Sequence, residues 1–376
     1  MKCEIEFLPV GDASKAGDAI VIRYGEPNAY ELMVIDGGNI DSSKALVEHV
    51  RSEFGRNSVI SHLLLTHADA DHACGCREIL SELPVNNLWL HVPWLSATAA
   101  RPYFADKRWT DAGLAAAIRK EYDLIDEIFT IALEKKTVKI YQPFAGSTVG
   151  PFRVLSPHKD VYPLFLPQFD RTPEPDKAAL EAAGAWIGKQ PNAFARLIDD
   201  AVAKALAKAP KWIQETWAKE WLKDGGITSA SNESSVVLYG DSEAGRVLLT
   251  GDAGIWGLSL AAHHAEQNGL ILRDFNFVQI PHHGSRRNVG PTILNRLLGP
   301  IQPQFTPSRF SAFVSSPKDD DTHPRKIVLN AFLRRGGKVL ATQGEKKVFF
   351  GGFPMRPNYH PIAQGMPFAT QVEDYD

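Results

Sequence analysis

Thr66-His67-Ala68-Asp69-Ala70-Asp71-His72 is the stretch on which the reading turns, and it follows directly on the apolar run Ile60-Ser61-His62-Leu63-Leu64-Leu65. From His67 to His72 the chain sets two histidines and two aspartates, the side chains that bind divalent metals, around two alanines small enough to leave coordination space open. In an extended turn His67 and Asp69 point to the same side, because side chains alternate along extended backbone. Asp71 and His72 then fall at the start of the following helix, so one short loop can serve two metal sites. An acidic residue ahead of a helix can simply be an N-cap, and Asp71 fits that role too. A cap accounts for one member of the cluster and leaves three unexplained.

Working outward, VISHLLLTH reads as a buried strand and His72 to about Leu83 as a helix, which places the cluster where a strand gives way to a helix. Upstream, EIEFLPV, DAIVIRY and ELMVIDGG read as a β-meander, and Ser42 to Phe54 has helical periodicity. Downstream, Ser96 to Lys136 is mostly helical and is followed by the strands VKIYQPF and FRVLSP. Prolines 157, 163, 167, 173 and 175 then break the pattern. The Ala- and Trp-rich block Lys177 to Asp224 predicts a two- or three-helix insertion that packs on the core, or forms a lid presenting Trp186, Trp212, Trp217 and Trp221 to substrate. Strands return with SSVVLYG, GRVLLTGD, FNFVQIPHH, AFVSS, KVLAT and KKVFFGG, with helices at Trp256–Gln267, Pro291–Leu298 and His323–Arg335. The last twenty or so residues predict a loosely attached tail.

A hydrophobic fraction of 44% and a charged fraction of 23% over 376 residues let most of the chain bury enough apolar surface to offset its ordering entropy. The net charge of −3, with no dense run of Lys and Arg, removes the footprint of a non-specific nucleic-acid binder, although a local basic groove stays open. Cys3, Cys74 and Cys76 cannot build a disulfide framework and suit a reducing setting. The start lacks the basic-then-apolar order of a signal peptide, and no apolar run approaches about 18 residues, so the expectation is a cytoplasmic protein with no membrane span.

The cluster resembles the HxHxDH signature of the metallo-β-lactamase superfamily, and further landmarks follow in that family's order. Asp36 in VIDGG resembles its structural aspartate, LLTGD ending at Asp252 its metal-bridging carboxylate, and IPHHGS (Ile280 to Ser285) its last histidine motif. GDAIVI, SNESSVVL and His323-Pro324 are similar to elements of the ComEC-like branch. The likeness spans roughly residues 4 to 160 and 230 to 350. Two departures stand out: Asp69 occupies the place of the signature's second histidine, and the third-motif histidine has only His158 in LSPHKD as a counterpart, with His91 a weaker one.

The resemblance implies an α+β, four-layered αββα sandwich over residues 1–355 with a helical insertion at about 163–226 and a C-terminal tail at 356–376. It implies a hydrolase using a hydroxide bridged by two divalent metal ions, zinc first, with manganese or iron as alternatives. The ligands would be His67, Asp69, Asp71, His72, His158, Asp252 and His282, with Asp71 also orienting the hydroxide. His283 or His323 would protonate the leaving group or hold a phosphate oxygen, and Ser285, Arg286, Arg287 and Lys318 would bind substrate. The ComEC-like features point to a phosphodiesterase or nuclease acting on nucleic acid. A third carboxylate at Asp69 brings the centre closer to neutrality, which suits harder ions and leaves room for a carboxylic ester, amide or lactone hydrolase. A degenerate scaffold gripping a protein partner through the helical insertion is the non-enzymatic alternative. His263, His264, His49, His62 and His360 default to structural or solvated roles, and Cys74 and Cys76 to packing.

Overall fold

The β-branched and aromatic runs at the start pair as expected: β1 (Lys2–Phe7), β2 (Ile20–Glu26) and β3 (Ala29–Ile35) form an antiparallel meander. In the computed structural model, which describes residues 2–11, 16–188, 211–243, 245–320, 322–357, 359 and 364–375, three parallel strands extend this sheet. They are β4 (Ile60–Leu64), β5 (Val85–Trp89) and β6 (Lys139–Tyr141). β15 (Lys347–Gly351) closes its other edge, giving the order β15-β1-β2-β3-β4-β5-β6. The second sheet is built from β7 (Thr148–Val149), β8 (Phe152–Ser156), β10 (Val237–Ser242), β11 (Gly245–Leu249), β12 (Phe275–Gln279), β13 (Phe310–Val314) and β14 (Gly337–Ala341). Its order is β14-β13-β12-β11-β10-β8-β7, parallel from β11 to β14 and antiparallel elsewhere.

The cores fix the layering. Ile5, Phe7, Ile22 and Met33 of the first sheet share one buried cluster with Leu238, Val247, Phe277 and Phe313 of the second, so the sheets face each other. Phe7 meets Phe313 edge-on at 5.6 Å between ring centroids. On the outer face of the first sheet, α1 (Ile40–Glu53) and α2 (Ala70–Glu82) bury Leu46, Val50, Ile79 and Leu80. The helices Ile255–Gln267, Pro291–Leu298 and Lys326–Arg334 do the same on the second sheet through Leu258, Leu294 and Val328. Helix, sheet, sheet, helix is the αββα sandwich anticipated from the sequence. No helix among the described residues is long and apolar enough to cross a membrane.

Three expectations need correction. The helix expected from His323 begins at Lys326 with Arg325 as its extended N-cap, since the residue before a proline is disfavoured in helical backbone and His323 precedes Pro324. Of the block read as a two- or three-helix insertion, the described residues hold a short helix at Lys177–Ala182 and a strand, β9 (Trp212–Gln214), while residues 189–210 lie outside the described ones. β9 pairs antiparallel with β16 (Gln371–Glu373). The Trp residues of this block are engaged by the fold: Trp217 donates to the Gln302 carbonyl at 2.8 Å, Trp221 to that of Gln214 at 3.0 Å, Lys326 lies over Trp212 and Lys177 over Trp186. The C-terminal segment is likewise docked, since Val372 is fully buried and Asn330 bonds both the amide and the carbonyl of Ala369.

Candidate metal centre

The cluster sits where β4 runs into α2, and that junction depends on two glycines. A Cβ on Gly75 would lie 2.1 Å from the Gly37 carbonyl oxygen, and one on Gly37 would lie 2.4 Å from the Gly75 carbonyl carbon. Their contact lets α2 press against the loop after β3, where Asp36 is held at a φ of 56°. From there the buried Asp36 carboxylate accepts from the Thr66 amide and hydroxyl and from His72 Nδ1, each at 2.7 Å.

The hydrogen bonds set the tautomers of three imidazoles and hold a fourth in place. His72 donates through Nδ1 to Asp36. The Thr66 hydroxyl spends its proton on Asp36, so its oxygen accepts from His67 Nδ1 at 3.0 Å. His283 Nδ1 donates to the Ser315 carbonyl at 3.2 Å. Asn288 donates to the Asp252 carbonyl at 2.7 Å, and His282 Nδ1 lies between the Asn288 oxygen at 2.9 Å and the Asn232 side-chain amide at 3.0 Å. In the neutral rings of His67, His72 and His283 the lone pair therefore sits on Nε2, the nitrogen that His282 also turns toward the site. All four aim at one carboxylate oxygen: Asp252 Oδ2 lies 3.4 Å from His72 Nε2, 3.7 Å from that of His282, 3.8 Å from that of His283 and 3.9 Å from that of His67.

The three lone pairs, on His67, His72 and His283, are buried without a hydrogen-bond partner among the described residues, as is Asp252 Oδ1. Buried polar atoms are rarely left so. Separations of 3.4 to 3.9 Å are long for hydrogen bonds but match ligand atoms that share an ion at about 2.0–2.2 Å. Donor atoms of His67, His72 and Asp252 form one group that could hold an ion, and those of Asp71, His72 and His283 form another. The donor set therefore fits divalent metal.

Charge is arranged to match. The neighbouring imidazoles hold the Asp252 carboxyl far below its usual range against the effect of burial. Burial would lower the His72 pKa, but Asp252, Asp36 and Asp71 raise it well above the ordinary value. Burial also opposes ionisation of Asp69, yet His67 and a bond from Ser231 hold its pKa at about 2. Asp69 Oδ2 lies 3.7 Å from His67 Nε2, and Asp71 Oδ2 is 4.0 Å from His72 Nε2 and 3.9 Å from that of His283.

The remaining sequence candidates divide. His158 is not brought to the cluster: it follows β8, half-buried, and its ring packs on His264 at 4.8 Å. His91 is buried between Tyr162 and Phe144, stacked on the former at 4.7 Å. Burial pushes the His283 pKa down to about 3, and its Nε2 lies 3.9 Å from Asp71 Oδ2 and 3.8 Å from Asp252 Oδ2. His323 stays half-exposed beside them, with Nδ1 2.9 Å from the Thr322 hydroxyl and 3.4 Å from Asp320. Ser285 is a buried turn residue whose hydroxyl accepts from the Arg287 amide. Arg286 is taken up by the carbonyls of Asp374 and Tyr375 and lies over the Tyr375 ring, so it is not held open for substrate. Arg287 and Lys318 remain exposed.

Sequence reasoning gave no role to Asp18, Ser231, Asn232 or Asn288. Asp18 lies behind the cluster, accepts from Gln279 at 2.7 Å and is pushed up to about 7 by burial. Its signal was the preceding glycine: a Cβ on Gly17 would lie 2.1 Å from the Asp71 carbonyl oxygen. Ser231 and Asn232 stood in a quoted motif, but nothing local ties a serine to an aspartate so far back in the chain.

No family model matches the chain, and no curated protein matches it in sequence. Among solved structures, it is similar to Tm1679, a metal-dependent hydrolase of the β-lactamase superfamily, at 13% identity and a TM-score of 0.43 over 92% of this chain and 98% of that one. It is similar to the metallo-β-lactamase fold protein YhfI from Bacillus subtilis at 8% identity and a TM-score of 0.41, over 92% and 99%. Zinc-bound PqqB from Methylobacterium extorquens gives 10% identity and a TM-score of 0.39, over 92% and 99%.

Proposed function

We propose that the chain is a divalent-metal-dependent hydrolase of phosphodiesters, with its active centre at the His67–His72 loop, Asp252 and the His282-His283 pair. The observation that carries this reading is the convergence of four imidazole Nε2 atoms on Asp252, three of them buried and unpartnered among the described residues. His67, Asp69 and His282 would hold one ion and Asp71, His72 and His283 the other, with Asp252 between them. Two divalent cations there would polarise the scissile bond and supply hydroxide near neutral pH.

The protein's own groups do the rest. Asp36 keeps the His72 ring oriented, as Thr66 does for His67 and Asn288 for His282. His323, half-exposed beside the cluster, would give the leaving group its proton. Arg287 and Lys318 flank the segments that carry His283 and His323 and would meet phosphate oxygens. The extra carboxylate at Asp69 favours a second reading, hydrolysis of a neutral carboxylic ester, because it lowers the charge of the centre.

Metal-stripped protein assayed with added zinc or manganese on a nitrophenyl phosphodiester and a nitrophenyl carboxylic ester separates these readings. Metal-dependent phosphodiester turnover is expected. It should fall by at least about a hundredfold in Asp71→Ala with an unchanged circular dichroism spectrum. His323→Ala should lower kcat while metal content stays at the wild-type level. Turnover that ignores metal, or full activity in Asp71→Ala, overturns the proposal; ester cleavage without phosphodiester cleavage selects the second reading.

A further inference from the structure

We infer that Ser231 is a positioning residue that turns Asp69 into a single-oxygen ligand at the place a histidine would occupy, and that Ser231-Asn232-Glu233 locks the three ligand-bearing loops together. This rests on the metal-centre reading above. Two independent observations at Asp69 lead to it. The residue stands at the N-cap of α2, where an aspartate ordinarily bonds a free amide of the first turn, yet its side chain makes no capping bond. The carboxylate is instead diverted across the fold, where Oδ1 accepts from the Ser231 hydroxyl at 2.5 Å.

A free carboxylate offers two equivalent oxygens and can grip an ion with either or both. With Oδ1 drawn across the fold to Ser231, Oδ2 is the oxygen turned to the cluster, 3.7 Å from His67 Nε2. The pair thereby presents one donor in one direction, as a single imidazole nitrogen does.

Ser231 is itself held firmly. It lies in the one-turn helix Ala230–Glu233, whose residues are all buried and whose start is capped by Ser229. Asn232 reaches the other side of the site, its side-chain amide 3.0 Å from His282 Nδ1. Glu233 accepts from the Gly257 amide at 2.6 Å, and its other carboxylate oxygen fills the space a Cβ on Gly254 would need, 2.2 Å away. Just beyond, Ser235 accepts from the Asp252 amide at 3.3 Å and Val236 donates to the Thr66 carbonyl at 3.0 Å. One buried segment thus touches the loops of Asp69, Asp252 and His282.

The test is calorimetric titration of the full-length, metal-stripped chain with manganese, in wild type, Ser231→Ala and Ser231→Thr. Wild type should take up two ions. Ser231→Ala should weaken one of them by about ten- to a hundredfold and leave the other nearly unchanged, as expected when a ligand's supporting bond is removed. Ser231→Thr keeps the hydroxyl and should restore the lost affinity. Two wild-type affinities in Ser231→Ala overturn the inference, as does an equal loss of both ions with a lowered melting temperature, which would mark Ser231 as purely structural. A threonine variant that melts like wild type but binds as poorly as the alanine variant overturns it too. If wild type itself binds no ion, the metal-centre reading falls first and takes this inference with it.

Discussion

Asp69 shows how far a single residue can shift a centre without changing its plan. In the proposed centre a carboxylate there would add negative charge and a hard oxygen donor to candidate ligands that are mostly imidazoles, and His67 with Ser231 keeps it ionised against burial. Asp69→His reverses both properties, returning a unit of positive charge and substituting a borderline nitrogen. Zinc affinity relative to manganese is expected to rise by about tenfold in that variant, since imidazole suits zinc and carboxylate suits manganese. Competition titration with the two metals measures the ratio. A ratio that stays within about twofold of wild type removes Asp69 from the ligand set, because donor chemistry is what discriminates these ions.

At the scale of elements, the site is made by close approach between the loop after β3 and the first turns of α2. Adding a methyl group at Gly75 puts it 2.1 Å from the Gly37 oxygen, and backbone on both sides cannot yield as a flexible side chain would. Gly75→Ala should therefore cost about 1–3 kcal/mol or more in thermal or denaturant unfolding and weaken metal binding, since the shifted helix carries Asp71 and His72. A variant as stable as wild type would show that the junction tolerates separation. This contact also marks the limit of what the sequence discloses. The helix Pro291–Leu298 was legible to the residue, because Pro291 opens it and Gly299 ends it. The cluster was legible because its metal-binding side chains are adjacent in the chain. His282 and His283 were legible as a pair but not in their roles, which depend on Asn288 and the Ser315 carbonyl arriving from other segments. β9 and β16 were missed because three-residue strands carry no periodicity and owe their existence to each other.

Over the whole molecule, the C-terminal part, which the sequence presented as a tail, is anchored at two places. Arg286 grips its last carbonyls beside the site, while Arg356 and Tyr359 close over β1 on the far sheet. There Glu6, fully buried, receives the Tyr359 hydroxyl at 2.9 Å, lies 3.0 Å from His49 of α1 and 3.7 Å from Lys346, and pairs with Arg356. Arg356 also meets Glu4 and Glu53, each at 3.0 Å, so strand, helix and C-terminal segment share one ionic network. Burial acts to raise the Glu6 pKa, but the bond and charge of His49, with Arg356 and Lys346, outweigh it and hold the carboxyl below its ordinary 4.5. A carboxyl whose pKa is lower in the folded than in the unfolded chain stabilises the fold above the unfolded value, and that contribution disappears as pH falls through the folded one. The melting temperature of wild type should accordingly drop as pH is lowered below about 4.5. Glu6→Gln removes the charge at every pH and takes a partner from the half-buried Arg356, Lys346 and His49, so it should lose about 1.5–3 kcal/mol at pH 7 and show a shallower decline on acidification. Thermal melts of both proteins from pH 7 to pH 3 provide the comparison, and equal acid slopes would mean that groups other than Glu6 govern the loss.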